Sequence, residues 1–380
     1  MTKKSTIFSF CLILVTACAN DNSRFTYHPT DNSLLNRDDI SAIIYTDNNN
    51  NSDRMNKAGR EFTKRIEDSI LLTHLGEMDD NADQIFAEIS QVILKERNII
   101  IFDRNNLKLS IFDLNGDHIK NIGQYGRGPG DLTQASGITM NNDIVYISDR
   151  INSVKSVNVV NDNDTIEYFL TDINGNPEGI CNLDNTIIFK SIMNNDELSE
   201  SKIFHQYDIT TKQKVNSFGE PYNAKNWAAK EMLSSGKFSC IPNKNTLINA
   251  FYIMPYIYSY DEMGNLSWVV EIDEYQPLQH REDANSMTFR WDESAFEYDE
   301  YATLLSFNND IIVQTRRYKS SFSNGELIND ELNLNTYLVD SENGEGTYLG
   351  HNIPKILYID KEHIVLDNEE VFPGILVYKL

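Results

Sequence analysis

The chain is poor in the residue patterns that most often announce chemistry. Its four cysteines and seven histidines are scattered, with no Cys-x-x-Cys, His-x-His or His-Glu-x-x-His spacing, and Gly-x-Ser-x-Gly is absent. Those absences remove the common zinc, redox and nucleophile-elbow signatures, although a site assembled from one side chain per repeat would escape such a search. Basic residues are also scarce: 33 Lys and Arg stand against 57 Asp and Glu, a net charge of −24, with no Lys/Arg stripe. So acidic a surface repels phosphate backbones and has no cationic face from which counterion release would profit, which excludes nucleic acid as a partner. Solubility of an exported domain is the plainest use of the charge; attraction of a cation or a basic partner is the other.

Long apolar runs are lacking too. The run from Ile7 to Val15 is too short to span a bilayer, yet Lys3 and Lys4 precede it, the layout of a signal peptide. It ends in Leu14-Val15-Thr16-Ala17-Cys18, which resembles a bacterial lipobox. That resemblance implies a signal over 1–17, lipidation at Cys18, and a mature protein held to a membrane by its acyl chains alone. Loss of Lys3 and Lys4 would take the net charge to about −26. The polar stretch Ala19 to Thr30 reads as a tether, and a short helix is expected from Met55 to Asp68, so 18–68 precedes the folded body. Cys181 and Cys240 then remain; an oxidising compartment would let them pair, and burial as two free thiols is the alternative.

What the chain has is repetition. Ile101-Phe102-Asp103-Arg104-Asn105-Asn106 returns 46 residues later as Ile147-Ser148-Asp149-Arg150-Ile151-Asn152, a period that marks a stacked or radial array. Six strand-to-turn landmarks follow, at Phe112, Asn158, Tyr207, Tyr260, Val339 and Tyr378, spaced 46, 49, 53, 79 and 39 residues apart. Asn, Asp and Gly after the first five supply hairpin turns, and the sixth is in the same phase. The expected fold is therefore all-β, a six-bladed β-propeller over 69–380. One late blade carries an insertion of about thirty residues, 274–304. The last landmark lies too near Leu380 for its blade to own an outer strand, so Ser69 to His74 is expected to close the ring.

Residues 97–170 carry a resemblance. Ile101-Phe102-Asp103-Arg104 through Phe112-Asp113, then Ile122-Gly123-Gln124-Tyr125-Gly126-Arg127-Gly128-Pro129-Gly130-Asp131, resemble the six-bladed β-propeller lipoproteins common in Bacteroidetes, relatives in architecture of NHL-repeat propellers. The resemblance implies an extracytoplasmic location, on the outer membrane at its periplasmic face or the cell surface, and a binding or scaffolding role. It transfers no catalytic residue.

Candidate contacts are weighed against structural duties. The loop Gly126 to Gly130 is read as an inter-blade turn with glycines at positive φ rather than a phosphate cradle, since no helix follows it. Arg127 is the side chain there that could reach a ligand. Asp103 and Asp149 are expected to accept loop amides, with Arg104 and Arg150 bridging to neighbouring blades; a metal ring of the two carboxylates is the rival reading. The insertion holds Arg290, Trp291 and Tyr298, suited to glycan, peptide or small-molecule contacts, against the alternative of a short helix covering one face. Tyr252, Tyr256 and Tyr258 read as strand residues packed between blades. The leading expectation is a ligand- or protein-binding module with no cofactor, calcium being the one ion left open. A metal-dependent hydrolase, lactonase or lyase and an outer-membrane scaffold are the alternatives.

Overall fold

The computed structural model describes residues 40–45, 52–76, 85–128, 130–160, 164–173, 175–192, 201–224, 227–282, 287–289, 296–323, 326–351, 353–368 and 373–380. Cys18, Arg290 and Trp291 lie outside them. Three elements precede the first blade: strand β1 (Ala42–Ile44), helix α1 (Ser52–Glu67) and strand β2 (Ile70–Leu75). Blade 1 comprises β3 (Ile89–Lys95), β4 (Asn98–Asp103), β5 (Lys108–Asp113) and β6 (His118–Ile122). Blade 2 comprises β7 (Ala135–Asn141), β8 (Ile144–Asp149), β9 (Ser153–Asn158) and β10 (Glu167–Leu170). Blade 3 holds β11 (Glu178–Leu183), β12 (Thr186–Lys190), β13 (Phe204–Asp208) and β14 (Lys214–Phe218). Helix α2 (Trp227–Leu233) then leads to blade 4: β15 (Gly236–Ile241), β16 (Thr246–Phe251), β17 (Tyr256–Tyr260) and β18 (Leu266–Ile272). A hairpin of β19 (His280–Glu282) and β20 (Met287–Phe289) separates it from blade 5, which is β21 (Phe296–Phe307), β22 (Asp310–Ser323), β23 (Glu326–Asp340) and β24 (Gly346–Gly350). Blade 6 has β25 (Ile356–Ile359), β26 (His363–Asn368) and β27 (Gly374–Lys379).

Each blade is an antiparallel meander, and blade 6 takes its fourth strand from the other end of the chain: β2 pairs with β27, Ile70 opposite Lys379 and Leu75 opposite Ile375. The expected closing segment 69–74 thus matches β2 to within a residue. The first strands β3, β7, β11, β15, β21 and β25 touch in that order and back to β3, lining a central channel.

The apolar runs explain how the blades stack. In β4 the sequence Asn-Ile-Ile-Ile-Phe-Asp alternates its side chains between two faces, so Ile100 and Phe102 enter the core shared with blade 2 while Ile99 and Ile101 enter the one shared with blade 6. Six buried clusters fill the six blade junctions in this way, and the last, holding Leu75, Val377 and Phe112, seals blade 6 to blade 1. Cys181 of β11 and Cys240 of β15 form a disulfide, with Cα atoms 5.6 Å apart, that staples the inner strands of blades 3 and 4. Of the two readings the sequence left open, pairing is the one realised.

Before β2 the chain runs along the perimeter. Strand β1 adds in parallel to β18 as a fifth strand of blade 4. Helix α1 begins three residues before the expected Met55 and packs on β24 of blade 5, so close that a Cβ at Gly59 would lie 2.3 Å from the Leu349 carbonyl oxygen. Phe62 meets Phe307 edge-on at 6.5 Å, and Arg65 donates to the Lys361 carbonyl at 2.9 Å. Lys64 and Arg65 in its last turn suit the negative end of the helix dipole.

The expected insertion divides differently from 274–304. Residues 296–304 belong to β21, the inner strand of blade 5, and no helix occurs among the described residues of that stretch. Much of the extra length sits instead in β22 and β23, whose ladder continues from Asp310 and Asp340 to Ser323 and Glu326 as a long two-stranded ribbon.

Candidate functional site

The repeated Asp-Arg dipeptide builds one end of the channel. Asp103 is fully buried at the end of β4, where Oδ2 accepts the Ala87 amide at 3.0 Å and Oδ1 the Glu88 amide at 3.1 Å. Asp149 does the same one blade on, accepting the amides of Thr133 at 3.2 Å and Gln134 at 2.8 Å. Each carboxylate therefore clamps the segment entering an inner strand. It also receives charge: Lys155 Nζ lies 3.0 Å from Asp149 in a fully buried pair, and donates to the Asp131 carbonyl.

In blades 1, 2 and 4 the residue after the second strand then sits over the residue before the first strand, and in blade 6 Asp367, near the end of β26, sits over Lys355 before β25. Arg104 N donates to Glu88 O (2.9 Å), Arg150 N to Gln134 O (3.2 Å), Tyr252 N to Ser235 O (3.0 Å) and Asp367 N to Lys355 O (2.8 Å). In blade 5 the corresponding pair is Glu300 and Arg316, in register within the β21–β22 ladder. Because first strands are innermost, these positions form a rim around one channel mouth.

Charges of both signs converge there. Arg104 holds Glu88 through two contacts, 3.2 and 2.9 Å, inside its own blade. Arg150 instead reaches Glu178 of blade 3, which also accepts from Ser235 of blade 4 at 3.2 Å. The expected bridging to a neighbouring blade is thus made by Arg150 and not by this Arg104 pair. Lys355 lies 2.6 Å from Asp367, and Arg316 lies 3.2 Å from Glu331. Tyr318 donates to Glu300 at 3.1 Å and accepts from Arg316 at 3.1 Å. The groups feel one another across the channel. Burial pushes the Glu300 carboxyl above the usual range against the pull of Arg316, Tyr318, Lys237 and Lys355. Burial lowers the Lys237 ammonium, with Glu300 opposing and Arg104 and Arg316 adding to the depression. Burial raises the Tyr252 hydroxyl, with Glu300 and Glu178 contributing.

The sequence-derived candidates distribute unevenly. Tyr298 reaches this region: it stacks on Phe296 at 6.0 Å and on Tyr318 at 5.4 Å beside the Glu300 and Arg316 pair. Arg127 is exposed on the loop joining β6 to β7, at the same end of the molecule. That loop is a structural turn, though for a different reason than expected. Gly126 and Gly128 do not have positive φ. Asp131 folds back to accept Gln124 Nε2 at 2.9 Å and Gly128 N at 2.8 Å, and a Cβ at Gly126 would come within 2.1 Å of its Oδ2. Those two hydrogen bonds hold the Asp131 carboxyl below its usual range. Tyr256 and Tyr258 are buried in β17 as expected, but Tyr252 lies beyond β16, at the rim. Lys237, Glu178, Glu300 and Arg316 were not singled out from sequence. Arg316 lies inside the long second strand of blade 5, and without a preceding Asp no repeated phrase exposes it.

Among the described residues no group of three or more His, Cys, Asp or Glu side chains is placed to hold a metal ion; the Asp103 and Asp149 carboxylates are engaged by loop amides. No helix among them is long and apolar enough to cross a membrane. A groove of about 360 Å³ lies elsewhere, between blades 3 and 4, lined by Phe218, Tyr260, Met263 and the Lys202–Glu220 pair. It draws on only two blades and lacks the rim's convergence of charge.

Comparison with known proteins bears on the fold. A family model, DUF5128, described as a 6-bladed beta-propeller, matches residues 77–274, just over half of the chain and all of blades 1 to 4. Among solved structures, a Bacteroides fragilis protein described as exported aligns with a TM-score of 0.54 at 12% identity, over 90% of this chain and 99% of its own. A DUF4221 member from Bacteroides vulgatus aligns at 0.49 and 13% identity, over 82% and 97%. U3-55K aligns at 0.50 and 8% identity, over 83% and 99%. No curated protein matches the chain.

Proposed function

This chain belongs to the DUF5128 family of six-bladed beta-propellers, and we propose that it is an exported, lipid-anchored binding module that takes its ligand at the charged rim of the channel mouth. The observation that carries the reading is convergence: Arg104, Glu178, Lys237, Tyr252, Glu300 and Arg316 come from four blades to one channel mouth, close enough that the charges among them shift the ionisation of Lys237, Tyr252 and Glu300. Blade packing alone does not call for such a cluster, since the six junction cores are apolar. Export is supported by the Cys181–Cys240 disulfide, a bond that persists in oxidising compartments. The signal and lipobox ending at Cys18 agree with it. For the metal-dependent hydrolase, lactonase or lyase reading, the described residues offer no group of three or more candidate ligands.

The binding reading is tested by glycan and peptide arrays probed with the protein released from the membrane, followed by Glu300→Gln and Arg316→Met. A ligand whose binding these changes abolish, with melting temperature preserved, upholds the rim; retention of binding by both variants sinks it. Anchoring is tested separately: Cys18→Ala should move the protein from the membrane to the soluble fraction.

A further inference from the structure

The rim is not electrically closed. Arg104 is held by Glu88, Arg150 by Glu178 and Lys355 by Asp367, while Arg316 lies against Glu331 and Tyr318. Lys237 differs. It is the second residue of the inner strand β15, partly buried in the channel wall, and its Nζ has no hydrogen-bond or ion-pair partner among the described residues. Two further cations, Arg104 and Arg316, act on it from blades 1 and 5. The acids within its reach are engaged: Glu88 by Arg104, and Glu300 by Tyr318. An ammonium partly withdrawn from water with no acid in direct contact is costly, and a ligand anion placed against it would recover that cost.

The surroundings narrow the anion. Glu88, Glu178 and Glu300 offer acceptors for hydroxyl groups, and the Tyr318 and Tyr298 rings give flat surfaces with a polar edge. Acceptors beside cations beside aromatic faces suit a molecule that carries many hydroxyls and one negative charge. Resting on the reading that the rim is the binding site, we propose that Lys237 receives the carboxylate of an acidic sugar, a uronic acid residue of a glycan, whose ring lies toward Tyr318.

The test uses two probe sets at fixed ionic strength, oligomers of galacturonate and glucuronate and the same oligomers with carboxyls reduced to alcohols. Binding is followed by calorimetry on the native protein, on Lys237→Met and on Lys237→Arg. Acidic oligomers should bind, and their reduced forms should bind roughly tenfold to a hundredfold more weakly, the worth of one charge-assisted contact. Lys237→Met should lose the same factor while Lys237→Arg keeps most of the affinity, and neither should melt below the native protein. Equal binding of acidic and reduced oligomers, or full affinity in Lys237→Met, overturns the carboxylate assignment while the rim remains a glycan site. Absence of binding by either set overturns the carboxylate assignment, and the array then decides the binding reading by itself.

Discussion

A single carboxylate can hold both a loop and a buried cation. Asp149 accepts two amides and faces Lys155, with both side chains almost completely enclosed. Asp149→Asn removes the counter-charge and leaves an ammonium in a dry junction, so unfolding should be easier by about 3–5 kcal/mol, read from the urea midpoint. The double change Asp149→Asn with Lys155→Met should recover much of the loss, because no buried charge then remains. Lys190 gives the complementary case. Its Nζ donates to Asn249 of the next blade at 3.2 Å and lies over the Phe251 ring, and burial pulls its pKa down to about 7 while Glu178 partly restores it. The unfolded chain holds that proton up to about pH 10.4. Between pH 7 and that value the unfolded state binds more protons, so this residue makes stability rise with pH and fall again as pH drops to 7. Lys190→Met should flatten that part of a melting-temperature profile; an unchanged slope would mean that Lys190 is not the source. At this scale the sequence was half legible. The repeated Asp announced the clamp because both copies do the same work, whereas Lys190, Lys237 and Glu300 stand alone in their blades and no comparison within the chain points to them.

Strands were easier to read than what they carry. Turn chemistry after the third strand of blades 1 to 5 repeats, and all six landmarks fall on third strands, the sixth on β27. The spacing of 79 residues showed extra length but not where it goes, because the hairpin β19–β20 and the extended β22–β23 ribbon are both strand and look alike in composition. The disulfide was illegible for a related reason: β11 and β15 are neighbours only through ring geometry, at a sequence separation of 59. Cross-linking a loop of that length constrains the unfolded chain by about 4 kcal/mol in the chain-entropy model. Reduction under native conditions should therefore lower the melting temperature, and Cys240→Ala should do so without reductant. Equal melting of oxidised and reduced protein would show that the staple adds nothing to the packing of blades 3 and 4.

The whole molecule is a ring whose last junction depends on its first strand. Leu75 of β2 is fully buried between blades 6 and 1 with Val377, Val365 and Phe112. Leu75→Ala should cost about 2–5 kcal/mol, and removal of the chain through Leu75 should leave β27 with an open edge and a protein that associates on size-exclusion chromatography. A monomeric truncated chain with native melting would mean that five complete blades and one of three strands suffice. Closure was legible because a blade missing a strand must find one somewhere. The perimeter run of β1 and α1 was not, since neither a three-residue strand nor a mixed helix declares which surface it will cover.

The pairing of Ile70 with Lys379 also sets an order of events in time. β2 is made long before β27, so while every strand between them is synthesised Thr73, His74 and Leu75 wait for their ladder partners Val377, Leu376 and Ile375. A chain with such a wait folds slowly, because the longest loop must close before the final junction can form. While it waits, Leu75, fully buried in the closed ring, stands exposed on an unpaired strand edge, and a holding chaperone on that strand would suppress aggregation.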